Sequence, residues 1–134
     1  KVDSYNDNRL IGTNATTAQS NFDVKHPLYR AIGDMARAYR MHPGLRRSAA
    51  EVRRADGDKG GLGAIARRDG DREYIFVFNT SEKPVLANVE TSTGRTEWRS
   101  VIGDCPKKSA APGVLQTRLP GFGFAVCLSD KDSQ

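Results

Sequence analysis

Residues 73–79 read EYIFVFN, a nearly continuous apolar run with a polar residue at each end. A strand whose successive residues are all apolar is buried on both faces, so this run indicates the central strand of a sheet. Residues 69–71 read DGD and precede it as a typical turn. Shorter runs with alternating apolar residues predict six more strands, at residues 51–55, 62–68, 85–89, 96–102, 114–119 and 122–128. Seven short strands separated by turn residues predict a mainly β fold, an antiparallel β-sandwich.

One amphipathic helix precedes these strands. Pro27 suits the first helical position, because its missing N–H would have no partner there. Pro43 and Gly44 end the helix. The apolar residues between them recur at helical spacing and form one face, called here the helix stripe. The helix stripe consists of Leu28, Ile32, Met35, Ala36 and Tyr39.

The remaining segments suggest a piece of a longer protein. Residues 1–25 are rich in Asn, Asp, Ser and Thr and show no periodicity, which predicts a polar loop. The chain opens at Lys1 without a Met, a signal peptide or any run of 18 apolar residues. The predicted organisation is a loop at residues 1–25, a helix and connection at 26–48, the sandwich at 49–130 and a tail at 131–134.

Cys105 and Cys127 are the two cysteines of the chain. The absence of a CxxC motif and the distance of both histidines in sequence argue against a zinc site. A disulfide and two free thiols remain open, and we favour the disulfide. It would place the protein in a periplasmic or extracellular compartment.

Acid–base chemistry would need paired carboxylates or a histidine near a nucleophile. Most acidic residues of the β region lie beside Gly or at strand ends, where Asp stabilises turns. His26 and His42 flank the helix, and we expect His42 near the helix C-terminus, where a positive charge is favoured. The sequence therefore predicts no catalytic residue and no metal site.

The charge pattern leaves a nucleic-acid role open without favouring it. The net charge is +5, and residues 25–72 hold 12 Lys+Arg against 6 Asp+Glu. Three Arg–Arg pairs, at 46–47, 53–54 and 67–68, could neutralise phosphates. Acidic residues lie between the pairs, and few aromatic residues are near them on which bases could stack. A solvated face or a face on an acidic partner domain is therefore favoured.

Trp98 is the only tryptophan. Its place in a predicted strand favours packing in the core. An exposed Trp98 would instead offer a flat face on which a sugar ring could stack. We keep Trp98 as a candidate carbohydrate-binding residue.

Four short motifs in one order carry a family resemblance. Residues 26–32 read HPLYRAI, 42–47 read HPGLRR, 74–81 read YIFVFNTS and 119–126 read LPGFGFAV. Their order and spacing resemble the C-terminal end of α-amylase family enzymes, glycoside hydrolase family 13. The resemblance covers nearly the whole chain.

This resemblance implies a fold and a role. The helix would be the last one of a (β/α)8 barrel, residues 1–25 the loop before it, and the strands a Greek-key sandwich called domain C. The family's catalytic carboxylates, which cleave α-glucosidic bonds with retention, and its calcium ligands lie earlier in the chain. The chain itself is expected to be inactive and to bind no cofactor. Its expected partners are the catalytic barrel and an α-glucan, without a membrane, and the helix stripe would also suit a homodimer.

Two other classes of function stay open. One is a stand-alone carbohydrate-binding module, which an exposed row of aromatic residues on one sheet would favour. The other is a basic adaptor for an acidic partner or nucleic acid, which steeply salt-dependent binding would favour.

Overall fold

The structure, a computed structural model, describes residues 24–57 and 60–130. The chain divides into two compact units, residues 1–34 and residues 35–134. The first unit contributes residues 24–34 to the described part, which include the first two turns of the helix. The loop predicted for residues 1–25 falls almost wholly outside the described residues, and so does the predicted tail.

The described residues form two helices and seven strands. In chain order these are α1 (Pro27–Met41), α2 (Gly44–Arg47), β1 (Ala50–Ala55), β2 (Leu62–Asp69), β3 (Arg72–Asn79), β4 (Val85–Glu90), β5 (Trp98–Ile102), β6 (Val114–Leu119) and β7 (Phe124–Ser129). The predicted mainly β fold with one preceding amphipathic helix is confirmed. β7 begins two residues later than predicted, because Phe122 has a φ of 53° that no strand residue adopts.

The strands form two sheets that enclose the core. One sheet has five strands in the order β1-β2-β3-β7-β5, and the other pairs β4 with β6. All pairs are antiparallel, and β3 lies at the centre of the larger sheet, as its apolar run predicts. The face of the larger sheet that packs on β4–β6 is called the inner face, and the opposite one the outer face. The core between the sheets contains Leu62, Ala64, Ala66, Ile75, Val77, Val89, Trp98, Leu115, Leu119, Ala125 and Cys127.

A second, smaller cluster lies on the outer face. Ala38 of α1 and Leu45 of α2 pack there with Tyr74, Val126 and Leu128. β7 is therefore buried on both faces, because its alternate residues contribute to the core between the sheets.

Alternation along the last strand places Phe122, Phe124, Val126 and Leu128 on one face and predicts that this face is buried, which is wrong for the two phenylalanines. Phe122 is 67 % exposed and Phe124 is 39 % exposed. The left-handed turn at Phe122 and the position of Phe124 at the start of β7 leave both rings at an edge that no described element covers.

Neither helix among the described residues is long and apolar enough to span a membrane.

Candidate functional site

The two cysteines are joined, as favoured from the sequence. A disulfide links Cys105, in the connection after β5, to Cys127 on β7, with 5.7 Å between the two Cα atoms. Cys127 is fully buried in the core between the sheets. The Cys105 N–H also donates to Ser100 Oγ at 3.0 Å. The bond therefore ties the long connection after β5 to the centre of the larger sheet.

Trp98 occupies the core-packing position that the sequence favoured. Its side chain is 4 % exposed, and the indole N–H donates to Ser109 Oγ at 2.7 Å. The backbone N–H of Trp98 donates to the Lys107 carbonyl at 2.9 Å. A sugar ring would need an indole face that this burial does not offer, so a sugar contact at Trp98 stays a prediction without support from its exposure.

A groove of about 630 Å³ lies beside the disulfide. Its charged lining residues are Glu97, Arg99, Asp104, Lys107, Lys108 and Asp130. Three acids and three bases offset each other, so the groove has no preference for an anion or a cation.

Among the residues that the structure describes, Glu73 is the most buried charged side chain, and the sequence analysis did not identify it. Its side chain is 1 % exposed, although the sequence placed it at a strand end. The carboxylate accepts hydrogen bonds from the Ser92 N–H at 2.8 Å, the Thr93 N–H at 2.9 Å and the Arg53 guanidinium at 3.1 Å. Glu73 alternates with Ile75 and Val77 on the inner face, and this period of two is the signal that would have placed it inside.

The Arg53–Arg54 pair on β1 is engaged with acids. Arg53 also pairs with Glu51 at 2.9 Å, and Arg54 Nε donates to Asp56 Oδ1 at 2.7 Å. Arg54 and the backbone N–H of Leu62 together lower the pKa of Asp56. These guanidinium groups stabilise strand connections, which weakens the expectation of a phosphate-binding face.

Asn79 forms a second buried polar anchor on the inner face. Its side-chain amide donates to the Lys83 carbonyl at 2.7 Å and to the Pro120 carbonyl at 2.9 Å. Its side-chain oxygen accepts from the Ser81 N–H at 2.9 Å. The amide thus holds the β3–β4 turn against the turn before β7. Because it is only 3 % exposed, it offers no acceptor for N-glycosylation despite its Asn-Thr-Ser sequence.

His42 joins the end of α1 to the outer face. Its Nδ1 lies 3.4 Å from the Tyr74 hydroxyl, and the two rings meet edge to face with centroids 5.7 Å apart. Burial, together with the charges of Arg99 and Arg72, lowers the pKa of His42. His42 thus lies directly after the last residue of α1, as expected, and burial and the two arginines act against the positive charge that a helix C-terminus favours.

His26 lies at the other end of α1. Its Nδ1 accepts a hydrogen bond from the Leu28 N–H at 3.2 Å. One backbone N–H of the first helical turn thereby gains a partner, as expected for a histidine at a helix N-terminus.

The outer face is open at the end opposite to the helices. Phe78 of β3 and Phe124 of β7 are directly paired across the strands and are 38 % and 39 % exposed. Gly63 of β2 is paired with Phe78 on the other side. A Cβ built on Gly63 would lie 2.3 Å from Cε2 and Cζ of Phe78 and 3.0 Å from Cε1. The tip of the Phe78 ring therefore occupies the space that a side chain at this position of β2 would fill.

A notch of about 210 Å³ adjoins this ring. Its lining residues include Val52, Arg54, Asp56, Ile65, Phe78 and Thr80, and the surface that they expose to the notch is mainly apolar. We call Phe78 and this notch the aromatic end of the outer face.

The helix stripe is also exposed. Met35 and Tyr39 are each 40 % exposed, and Leu28 and Ile32 are more exposed still. The one buried residue of α1 is Ala38, which does not belong to the stripe.

Residues 24–57 and 60–130 contain no group of three or more His, Cys, Asp or Glu side chains that could hold a metal ion. That the chain binds no metal and no cofactor stays a prediction.

Comparisons with known proteins agree with these features. No family model matches the chain. It is 29 % identical over 125 residues to an α-amylase from Streptomyces lividans, a match that covers 91 % of this chain and 14 % of that enzyme. The chain thus spans a small part of the curated relative that it matches.

Solved structures share the fold. A variant of AmyP in complex with maltotriose has a TM-score of 0.65 at 16 % identity and covers 86 % of this chain and 23 % of that one. A variant of MutB from crystals soaked with trehalulose has a TM-score of 0.56 at 16 % identity and covers 84 % and 20 %. These findings confirm the resemblance predicted from the sequence motifs: the chain is similar to the C-terminal part of an α-amylase family enzyme, glycoside hydrolase family 13.

Proposed function

We propose that this chain is the non-catalytic C-terminal part of an α-glucan-acting glycoside hydrolase of the α-amylase type. In this proposal α1 is the last helix of a catalytic (β/α)8 barrel, and the sandwich is the domain C that follows it. The match to an α-amylase supports the family, and the sandwich supports the domain. The buried disulfide supports a periplasmic or extracellular location.

The observation that carries the proposal is the exposed helix stripe. Burial of its apolar side chains would contribute free energy to a larger assembly, and exposed apolar faces of this kind mark interaction sites. Ala38 and Leu45 meanwhile hold the end of α1 and α2 to the outer face. A chain built in this way stabilises a barrel whose last helix it supplies, while the catalytic carboxylates come from that barrel.

The gene region upstream of Lys1 gives the first test. We expect it to encode a (β/α)8 barrel with an acidic residue at the end of several strands. An upstream region that encodes no barrel contradicts the proposal.

An activity assay gives the second test. Pure chain incubated with soluble starch and with a nitrophenyl maltoside should show no turnover, because retaining hydrolysis needs two carboxyl groups about 5 Å apart on either side of the bond. Turnover that purifies with the chain and disappears when one of its own carboxylates is replaced contradicts the non-catalytic role.

A second candidate partner for the helix stripe is the same stripe of another copy of this chain, in a homodimer. One two-fold contact would cover both stripes at once. Light scattering over a concentration series, with Ile32→Asp as the variant, separates it from a monomer.

A further inference from the structure

We propose that residues 103–109, called here the strap, are a redox-sensitive cover over the outer edge of β5. In the oxidised chain the strap lies along this edge, and the disulfide between Cys105 and Cys127 locks it there. Reduction by a dithiol releases the strap while both sheets stay assembled, and the edge of β5 then pairs with the same edge of a second copy. This inference does not rest on the proposed function.

The strap runs back along β5 in the antiparallel direction. β5 is an end strand of the larger sheet, with β7 on one side. After β5 the chain turns at Gly103, whose φ is 66°, and returns along the other side. The Trp98 N–H donates to the Lys107 carbonyl at 2.9 Å. The Ser109 N–H donates to the Thr96 carbonyl at 2.7 Å. These bonds occupy backbone groups that a further strand would otherwise use.

The disulfide ties the strap to the strand on the far side of β5. Cys127 lies on β7 and is paired directly with Ser100 of β5. Cys105 lies in the strap, and its N–H donates to Ser100 Oγ at 3.0 Å. The bond from Cys127 to Cys105 therefore passes β5 beside Ser100 and holds the strap, β5 and β7 together.

Apart from the disulfide, hydrogen bonds hold the strap. Cys105 is the strap residue that packs against the core between the sheets, and four of the other six are exposed, namely Gly103, Asp104, Lys107 and Lys108. The net contribution of each hydrogen bond is small, because water competes for the same groups. Segments with few buried contacts open before a whole domain unfolds. A strap without its disulfide is therefore expected to open first.

A reductant can reach the disulfide from the groove of about 630 Å³ beside it. Cys105 is half-buried and lines this groove, whereas Cys127 is fully buried. A thiolate of the dithiol attacks Cys105 Sγ, the S–S bond breaks, and Cys127 leaves as a thiolate. The second thiol of the reductant then attacks the mixed disulfide and releases Cys105. Two electrons pass to the two cysteines, each cysteine takes up one proton that a reductant thiol has lost, and the dithiol ends as a disulfide.

A second copy is the partner that the uncovered edge of β5 favours. β1, at the other end of the sheet, carries Glu51, Arg53 and Arg54, whereas β5 carries one charged residue, Arg99. Both strands contain a register shift, so their charges make the difference. The strap itself presents a proline and two lysines, which discourage edge pairing. Two uncovered β5 edges can pair antiparallel about a two-fold axis, which uses one surface twice.

Hydrogen exchange of the full chain, followed by NMR with and without dithiothreitol, tests the strap. We expect the Trp98 and Ser109 amides to exchange at least about tenfold faster after reduction, relative to the amides of β3. Trp98 is the only tryptophan, so its fluorescence should also shift to longer wavelength as its bond to Ser109 opens. Unchanged exchange at both amides overturns the proposal. An equal loss of protection in β3 overturns it as well, because the sheets would then open together with the strap.

Leu45→Ala separates release of the strap from a general loss of stability. It removes a buried side chain of the outer face, keeps the disulfide, and should cost about as much stability as reduction does. The Trp98 and Ser109 amides of this variant should keep the protection, relative to β3, that they have in the oxidised parent chain. Faster exchange at these amides in oxidised Leu45→Ala, equal to that of the reduced parent, overturns the role of the disulfide as a lock.

Light scattering over a concentration series identifies the partner of the edge. The Ile32→Asp variant is used, so that association through the helix stripe does not contribute. Its reduced form should self-associate and its oxidised form should not, and reoxidation should restore the lower mass. A reduced variant that opens its strap and stays monomeric overturns the pairing with a second copy. Equal association of both forms overturns it too, since the contact would then lie outside the covered edge.

Discussion

The inner and outer faces of the larger sheet are closed in different ways. The inner face is covered by β4–β6, crossed by the disulfide and completed by Glu73 and Asn79, whose polar groups all have partners. The outer face is covered by Ala38 and Leu45 at one end and is open at the aromatic end. The inner face is thus closed along its length by the chain itself, whereas the outer face is packed at one end only. Substitutions on the two faces should therefore differ in their effect on stability.

We expect the largest loss in the free energy of unfolding when Glu73, the buried carboxylate on the inner face, is replaced. Glu73→Ala removes one of the two carboxylates that pair with Arg53 and leaves two backbone N–H groups of the β4–β5 connection without their acceptor. The loss of one charge-assisted bond and of the acceptor for two N–H groups should together lower the free energy of unfolding by about 3 to 5 kcal/mol, measured by urea denaturation. The matched variant Glu90→Ala, at an exposed position of β4, should change it by about 0.5 kcal/mol or less. Equal effects would show that Glu73 does not close this face.

Reduction of the disulfide is the next largest perturbation of the inner face. The bond spans 22 residues, and the chain-entropy estimate for a loop of that size is about 3 kcal/mol. We expect the urea midpoint to fall accordingly in the presence of a reductant. Intact mass with and without reductant should differ by two hydrogens, and free thiols in non-reduced, denatured protein would contradict the bond.

On the outer face, truncation of a side chain should cost more stability at the covered end than at the open end. Leu45→Ala removes a side chain that is 1 % exposed and should cost about 2 to 3 kcal/mol. Val52→Ala at the open end and Leu86→Ala on the opposite sheet remove exposed side chains and should each cost about 0.5 kcal/mol or less. Thermal unfolding of the three variants measures the difference. A loss at Val52 equal to that at Leu45 would mean that the open end is covered in solution.

Local patterns predicted the strands and the helix because alternation and capping act within a few residues. The sequence did not predict how Glu73 and Asn79 are used, since their partners lie 19 and 41 residues away, in other connections. The aromatic end was missed for the same reason. Phe78 reads as one more apolar residue of β3, and only the register that pairs it with Gly63 gives its ring the space that a side chain on β2 would otherwise fill.

Trp98 is a residue for which the sequence left two environments open. A lone Trp in a strand fits both the core and an exposed platform, and alternation did not decide between them. The structure puts it in the core because Ser109, 11 residues away, offers a buried acceptor for the indole N–H. Trp98 is therefore buried, as its place in a strand favoured, while Phe78, which the sequence analysis did not single out, is partly exposed.

The smallest expected effect concerns pH and the covered end of the outer face. Burial and the positive charges of Arg99 and Arg72 lower the pKa of His42 from its ordinary value of 6.5. The unfolded chain therefore takes up this proton at a higher pH than the folded chain does. The stability contributed by neutral His42 is complete above pH 6.5 and is lost as the pH falls through the lowered pKa. Acidification should accordingly weaken the contact between His42 and Tyr74.

Melting temperatures of the parent chain and of His42→Gln at pH values from about 8 down to about 5 measure this contribution. Gln cannot take up the proton, so the parent chain should lose more stability than the variant over the lower half of the range. His26→Gln, at the other end of α1, leaves His42 and both arginines in place and should follow the parent. Parallel curves for His42→Gln and the parent would show that the ring is not held against Arg99 and Arg72. A steeper fall in the variant would reverse the sign and indicate that a positive charge on His42 is favourable in the folded chain.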